Sequence, residues 1–217
     1  MTEIKFEDKN ICEKCKGKCC KKSGCDYSTD DFNNLSIKAL EEILSEGKTS
    51  IVAAIDIKIT KNGTKFIVPY LYLRVRNMNR DVVDLLSLKS RCSVLTEKGC
   101  PYTLENRPSG GINLIPNEKQ CYPLKNPFEI VSGWEKYQRE LAKIVRRLTG
   151  KTVEKKLRED TENLIYDIMM EHFDYVSDKE KKEIYPLIKE LASIYPEECK
   201  RGIERVEKEK SILRIRK

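Results

Sequence analysis

The residues best equipped for chemistry in this chain are its cysteines, and they are unevenly spread. Five fall within the stretch "NICEKCKGKCCKKSGC", residues 10–25: Cys12, Cys15, Cys19, Cys20 and Cys25. A second group follows far down the chain, with Cys92 and Cys100 in "CSVLTEKGCPYTLENRP" and Cys121 in "QCYP"; Cys199 stands alone in "PEECK". Crosslinking, metal binding and redox exchange all use thiols. The total of nine is odd, and the charged start "MTEIKFEDKN" has no apolar signal region. Both point to a reducing, cytoplasmic setting and away from a disulfide framework. A dithiol redox centre at Cys12 and Cys15 would lack the βαβ surroundings that usually accompany that motif.

The spacing favours a metal. Cys12-x2-Cys15 is a common two-thiolate chelate, in which a tight turn aims both sulfurs at one ion. Cys19 and Cys20 are adjacent and more naturally face two metals, or two atoms of one cluster. Gly17 and Gly24 supply backbone freedom where the chain would wrap a site. Lys9, Lys14, Lys16, Lys18, Lys21 and Lys22 surround the group and would partly neutralise thiolates. Cys25, Cys92, Cys100 and Cys121 complete a candidate set of eight sulfur ligands. The single histidine, His172, reads as an ordinary helix residue. A nearly all-sulfur donor set suits zinc, iron or an iron–sulfur cluster and excludes magnesium or calcium.

The order of these motifs resembles a known family. Cys12-x2-Cys15-x3-Cys19-Cys20, then "STDDF" (28–32), then Cys92 and Cys100 leading to Arg107-Pro108, then Cys121-Tyr122-Pro123 is similar to the YkgJ-like cysteine-cluster proteins, zinc- or iron-chelating domains with a CxxCxxxCC-type signature. The resemblance covers residues 10–125 and implies metal binding. A flagellin lysine methylase with an iron–sulfur cluster resembles the same family, so an iron–sulfur-dependent, lysine N-methylase-like transferase is the alternative reading. Here "SGGINLIPNEKQ" separates Arg107-Pro108 from Cys121, a longer gap than the family pattern has. Arg107 could tune a thiolate by hydrogen bonding or pair with Glu105. Asp30 and Asp31 read as helix-start charges.

The elements that must position these residues give an α+β, mainly α fold: cysteine-rich metal-binding loops, a β-hairpin and a C-terminal helical bundle. Residues 1–27 read as an irregular loop with no evident means of ordering itself other than a metal. The face made by Ile37, Leu40, Ile43 and Leu44 predicts a helix over 37–46, ended by Gly47. "IVAAIDIKITKNGTKFIVPYLYLRV" reads as a hairpin with Asn62-Gly63 as a two-residue turn, and Pro69 marks its strand as an edge or a bulge. Val82–Leu86 suggests a short helix, and "SGGINLIPN" an exposed loop. From Gly133 helical periodicity takes over. Trp134, Tyr137, Leu141, Ile144, Val145 and Leu148 share one face, and Gly150 stops the helix. Further helices are expected near 153–175, 179–193 and 197–212, with Pro186 kinking or splitting the third. A soft boundary near 130 divides a metal-binding domain, 1–130, from a helical region, 131–217.

Composition narrows the partners. Charged residues make up 35% of the chain and its longest apolar run, "FIVPYLYL", is too short to span a bilayer. The net charge of +7 is shared almost evenly between residues 1–132 and 133–217. Without a basic arm, nucleic acid is disfavoured. A metal is the expected partner, and the charged C-terminal segment "ERVEKEKSILRIRK" leaves room for a protein.

Overall fold

The computed structural model of the protein describes residues 11, 14–87, 90–103, 106–118, 121–170 and 178–215. Cys12 and His172 lie outside them. The fold is mixed α+β and mostly helical, a hairpin followed by C-terminal helices.

Ser28 caps a 3-10 turn, Thr29–Asp31, through a reciprocal capping box with Asp31. Ser36 separately caps helix α1, Ile37–Ser45, accepting from the N–H of Ala39. The chain then forms an antiparallel hairpin of β1, Thr49–Ile59, and β2, Lys65–Val75. Its turn is wider than the two residues expected. Beyond the Ile59–Lys65 pair the N–H of Thr60 donates to the carbonyl of Thr64 at 2.9 Å, the N–H of Gly63 donates to the carbonyl of Thr60 at 3.0 Å, and Gly63 adopts φ +84°. This is a three-residue loop with the glycine in the left-handed position.

Pro69 sits opposite Ile55 without a break in register. The odd-numbered residues of β2 turn their backbone groups away from β1: Leu71 bonds Gln138, Leu73 accepts from Tyr27 and Val75 donates to Cys25. Pro69 shares this parity, so its missing N–H costs the ladder nothing and no bulge is needed.

Residues 82–86 are not a helix. Their backbone bonds go to β1 instead of to one another: Ile51 donates to Val82, Asp84 to Ile51, and Ala53 to Leu85. A parallel bridge joins Ile51 to Val83. The apolar run that suggested a helix is a segment buried against a strand, and short runs of this kind have no decisive period.

The segment read as an exposed loop is ordered as well. Ser109–Ile112 form a short helix, α2, and β3, Leu114–Ile115, pairs with β4, Tyr122–Pro123. The buried side chain of Asn113 donates to the carbonyl of Lys125 and accepts from its N–H, at 2.9 and 2.8 Å.

Beyond α3, Pro127–Val131, a 3-10 segment, Ser132–Tyr137, runs into α4, Gln138–Thr149. Gly150 ends α4 at φ +69°, its N–H donating to Arg146. Leu148, counted on the apolar face, is 49% exposed at its margin. Helices α5, Val153–Met169, α6, Asp178–Ile194, and α7, Pro196–Ile215, follow. Pro186 lies within α6 without splitting it. A Cβ on Gly202 would stand 2.7 Å from the carbonyl oxygen of Glu162, so α7 crosses α5 at a distance only glycine permits.

One large core joins Leu40 and Leu44 of α1, Ile51 and Leu73 of the hairpin, Trp134, then Leu141, Ile144 and Val145 of α4, Leu157 and Leu164 of α5, and Leu191 of α6. It crosses residue 130, so the hairpin and the helices bury their apolar faces against each other. Among the described residues no helix is long and apolar enough to cross a membrane.

Candidate metal centre

The opening cysteine loop is held along the outer edge of β2. The N–H of Val75 donates to the carbonyl of Cys25 and that of Tyr27 to Leu73, both at 2.9 Å. Asp26 bridges Arg74 in antiparallel fashion, and their side chains form an ion pair at 2.6 Å. Just upstream, the N–H of Gly24 donates to the buried Asn77 Oδ1 at 2.8 Å. A Cβ on Gly24 would lie 1.9 Å from the carbonyl oxygen of Val75, so the chain passes where no side chain fits.

The second cysteine group comes back to the first. After β2 the chain turns, and Met78 and Asn77 pair with Arg91 and Cys92. The N–H of Cys92 then donates to the carbonyl of Cys20 at 2.7 Å. Thr96 and Gly99 close a tight turn, with Gly99 at φ +109°, which delivers Cys100 to the same place. Gly17, at φ +74°, lies against Leu95 of this turn.

The result is a small second core. Cys20, Cys92, Val75 and Leu95 are buried in it, and Cys19, Cys25, Cys100, Tyr27 and Val94 pack around them. The thiols of Cys19 and Cys20 are 3.9 Å apart. Cys20 is also within hydrogen-bonding reach of the Cys100 and Cys25 thiols. Gly111 of α2 covers the cluster from another side, so close that a Cβ there would meet Cys25 Sγ at 3.0 Å.

The electrostatics follow from protons shared among neighbouring thiols. Cys20, able to share its single proton with Cys100, Cys19 or Cys25 and buried besides, is held well above the ordinary thiol range. Hydrogen bonding with Cys20 brings both Cys19 and Cys100 down to about 6, and for Cys100 the Arg107 guanidinium adds to the effect. Burial pushes Cys92 up to about 11. Arg107 also donates from Nε to the carbonyl of Tyr102 at 3.3 Å; Glu105, its other expected partner, lies outside the described residues.

Of the sequence candidates, Cys19, Cys20, Cys25, Cys92 and Cys100 come together. Cys15 and Cys121 are half-buried and are not among the residues packed in this cluster. Cys199 is buried in α7. Asp31 does more than cap its turn: its carboxylate also accepts from the N–H and hydroxyl of Ser109, tying α2 to the cysteine loop. Asn77, Arg74 and Gly111 were not singled out from the sequence, and nothing in their spacing marks them. Gly24 was noticed for backbone freedom, but its constraint is close approach.

The sulfur contacts run through Cys20. Among the described residues no three Cys, His, Asp or Glu side chains form a group set to hold an ion. The donor chemistry nevertheless fits a soft cation, being all thiol with two members already acidified. Beside the cluster lies a mainly apolar cavity of ≈180 Å³, reached by Cys19 and Cys25 and closed by Asn113, Leu114, Pro123 and Ile130. No protein-family model, no curated protein and no solved structure matches this chain.

Proposed function

We propose that this protein binds a soft metal, as zinc or iron or as an iron–sulfur cluster, through cysteine thiolates from both parts of its cysteine set. The observation that carries this reading is the meeting of Cys19, Cys20 and Cys25 with Cys92 and Cys100, thiols separated by up to 81 positions in the chain. Five unpaired cysteines packed together in one small core need a chemical reason, and metal coordination supplies it. Cys15, on the adjoining turn at Lys16 and Gly17, would join the ligand set together with Cys12 and Cys121. Closing the site on an ion requires the Cys20 proton to leave and the sulfurs to draw in. Uptake should therefore release protons and become tighter as pH rises.

A catalytic version of the same site is favoured by the apolar cavity against Cys19 and Cys25, which would place a small substrate group next to the metal. The lysine-directed transferase suggested by family resemblance is one such activity.

Anaerobic purification followed by metal and acid-labile sulfide analysis tests the proposal. Stoichiometric zinc in a colourless protein, or iron with sulfide in a brown one, supports it. Cys20→Ser and Cys92→Ser should each lose metal while Cys199→Ser retains it. A folded, metal-free protein whose thiols all titrate freely, and which takes up neither zinc nor iron, would overturn it.

A further inference from the structure

Among the described residues the hairpin offers one open strand edge, and it is that of β1. The outer edge of β2 is occupied by Gln138 at Leu71, by Tyr27 at Leu73 and by Cys25 at Val75, and Pro69 cuts it off, leaving only Lys65 and Ile67 beyond. On β1 the odd-numbered residues face outward. Ile51 and Ala53 are taken up by Val82, Asp84 and Leu85, whereas Ile55, Ile57 and Ile59 meet no outward backbone partner among the described residues. This open stretch, Ile55 to Ile59, carries alternate isoleucines and ends in Ile59, which is 64% exposed. Such an edge is a template for a further strand.

We infer that the partner is a second copy of this chain, its β1 pairing antiparallel with β1 about a two-fold axis at Ile57, to give one four-stranded sheet across the dimer. The charge pattern chooses both partner and register. Asp56 and Lys58 flank Ile57 and already pair with each other along the strand at 2.6 Å. Centring the pair on Asp56 would set two carboxylates face to face, and centring it on Lys58 two ammonium groups. Centring on Ile55 would require the edge at Ala53, which Leu85 occupies. Centring on Ile59 would engage the turn and leave both charges without complements. Centred on Ile57, Asp56 faces the second copy's Lys58 and Lys58 its Asp56, two complementary pairs at the close-approach positions of the ladder.

The same register makes hydrogen-bonded pairs of Ile57 with Ile57 and of Ile55 with Ile59 in both directions. The exposed Ile59 is thereby covered by a copy of Ile55. Isologous contacts of this kind close on themselves, so the assembly stops at two.

The test uses the full chain and sedimentation or light scattering as a function of protein concentration. The wild type should dimerise. Asp56→Lys and Lys58→Asp should each self-associate at least about tenfold more weakly, since each sets like charges opposite one another twice. Mixed together, these two variants should recover a heterodimer, because every cross-pair is then complementary. Ile57→Pro removes only an outward N–H, as Pro69 does on β2, and should give a folded monomer. A wild type monomeric up to its solubility limit would overturn the inference. So would charge variants that associate like the wild type, or a mixture that associates no better than its components.

Discussion

Replacing Gly24 by alanine asks whether the cysteine loop is set by close packing on β2. The new Cβ would be built 1.9 Å from the carbonyl oxygen of Val75 and 3.1 Å from its Cβ. Because the nearest atom is backbone in a strand paired along its whole length, the loop must move instead, by more than about 1 Å to reach ordinary contact. Two hydrogen bonds flank the substitution: Gly24 N–H to Asn77 Oδ1 at 2.8 Å, which is buried, and Val75 N–H to the Cys25 carbonyl at 2.9 Å. A displacement of that size breaks at least one and strains the other. At about 1–3 kcal/mol for each buried group left unsatisfied, the expected loss of unfolding free energy is about 2–5 kcal/mol. Urea denaturation of the metal-free protein measures it, and a thiol reagent reports the geometry, since Cys20 and Cys25 should become faster to label when the loop lifts. A Gly24→Ala protein within about 0.5 kcal/mol of wild type, with unchanged labelling rates, would refute the close approach and the cysteine arrangement that depends on it.

Other perturbations separate the parts of the fold. Trp134, the single tryptophan, is fully buried and donates from Nε1 to the carbonyl of Tyr27 at 2.7 Å; Trp134→Phe should cost about 1–3 kcal/mol in denaturant melts, and an unchanged midpoint would mean the indole does not anchor the cysteine loop to the helices. Asn113→Ala removes both bonds to Lys125 and should destabilise by about 1–3 kcal/mol while speeding proteolysis between residues 109 and 125; resistance equal to wild type would contradict it. Burial raises Asp160 to about 7 even though it is paired with Lys156 and accepts from the N–H of Leu85. A raised folded pKa means the native state holds the extra proton, so this group's favourable contribution is complete below about pH 4 and is lost as pH climbs through about 7. Unfolding free energy should fall by up to about 1.4 kcal/mol per pH unit across that window. Asp160→Asn should flatten the profile, and parallel profiles for the two proteins would disprove the assignment.

The legible parts of the sequence were those whose signal is local. The 3.6-residue period of α1 and α4, the stop at Gly150 and the alternating β-branched runs of the hairpin act over a few residues and survive in the fold. Val82–Leu86 was misread because its partner is a strand some thirty positions earlier, and nothing within five residues records that pairing. Asn62-Gly63 was read as a two-residue turn because that pair favours one, but Thr60 and Thr64 bond each other across the loop and set the wider geometry. Residues 109–115 looked like a free loop because glycine implies freedom. Here Gly110 and Gly111 are small so that the chain can press on Asp26 and Cys25. At the candidate site, the meeting of Cys19, Cys20 and Cys25 with Cys92 and Cys100 could be anticipated from thiol chemistry alone. The scaffold that brings them together, Asn77, Arg74 and the β2 edge, could not, since those residues are ordinary in type and distant in sequence.

That scaffold also revises how the cysteine loop is ordered. From sequence it has no means of holding itself other than a metal. In the fold, residues 20–27 are fixed by two backbone bonds to β2, by the Asp26–Arg74 ion pair, by Asn77 and by the bond from Cys92 to Cys20. These contacts use no sulfur. They hold Cys20, Cys25 and Cys92 near one another before any ion arrives, so those thiols meet a metal with part of the ordering entropy already spent. Cys15 differs: it sits on the turn at Lys16 and Gly17, both at positive φ, supported by the packing of Gly17 on Leu95 and by the Lys21 N–H donating to the Gly17 carbonyl at 3.1 Å, with no bond to β2 among the described residues. The proposed metal would therefore not fold this protein as it folds a zinc finger. It would draw the Cys15 turn onto a nucleus the hairpin has already built, and chelation should loosen the first turn of the loop while leaving the Trp134 core intact.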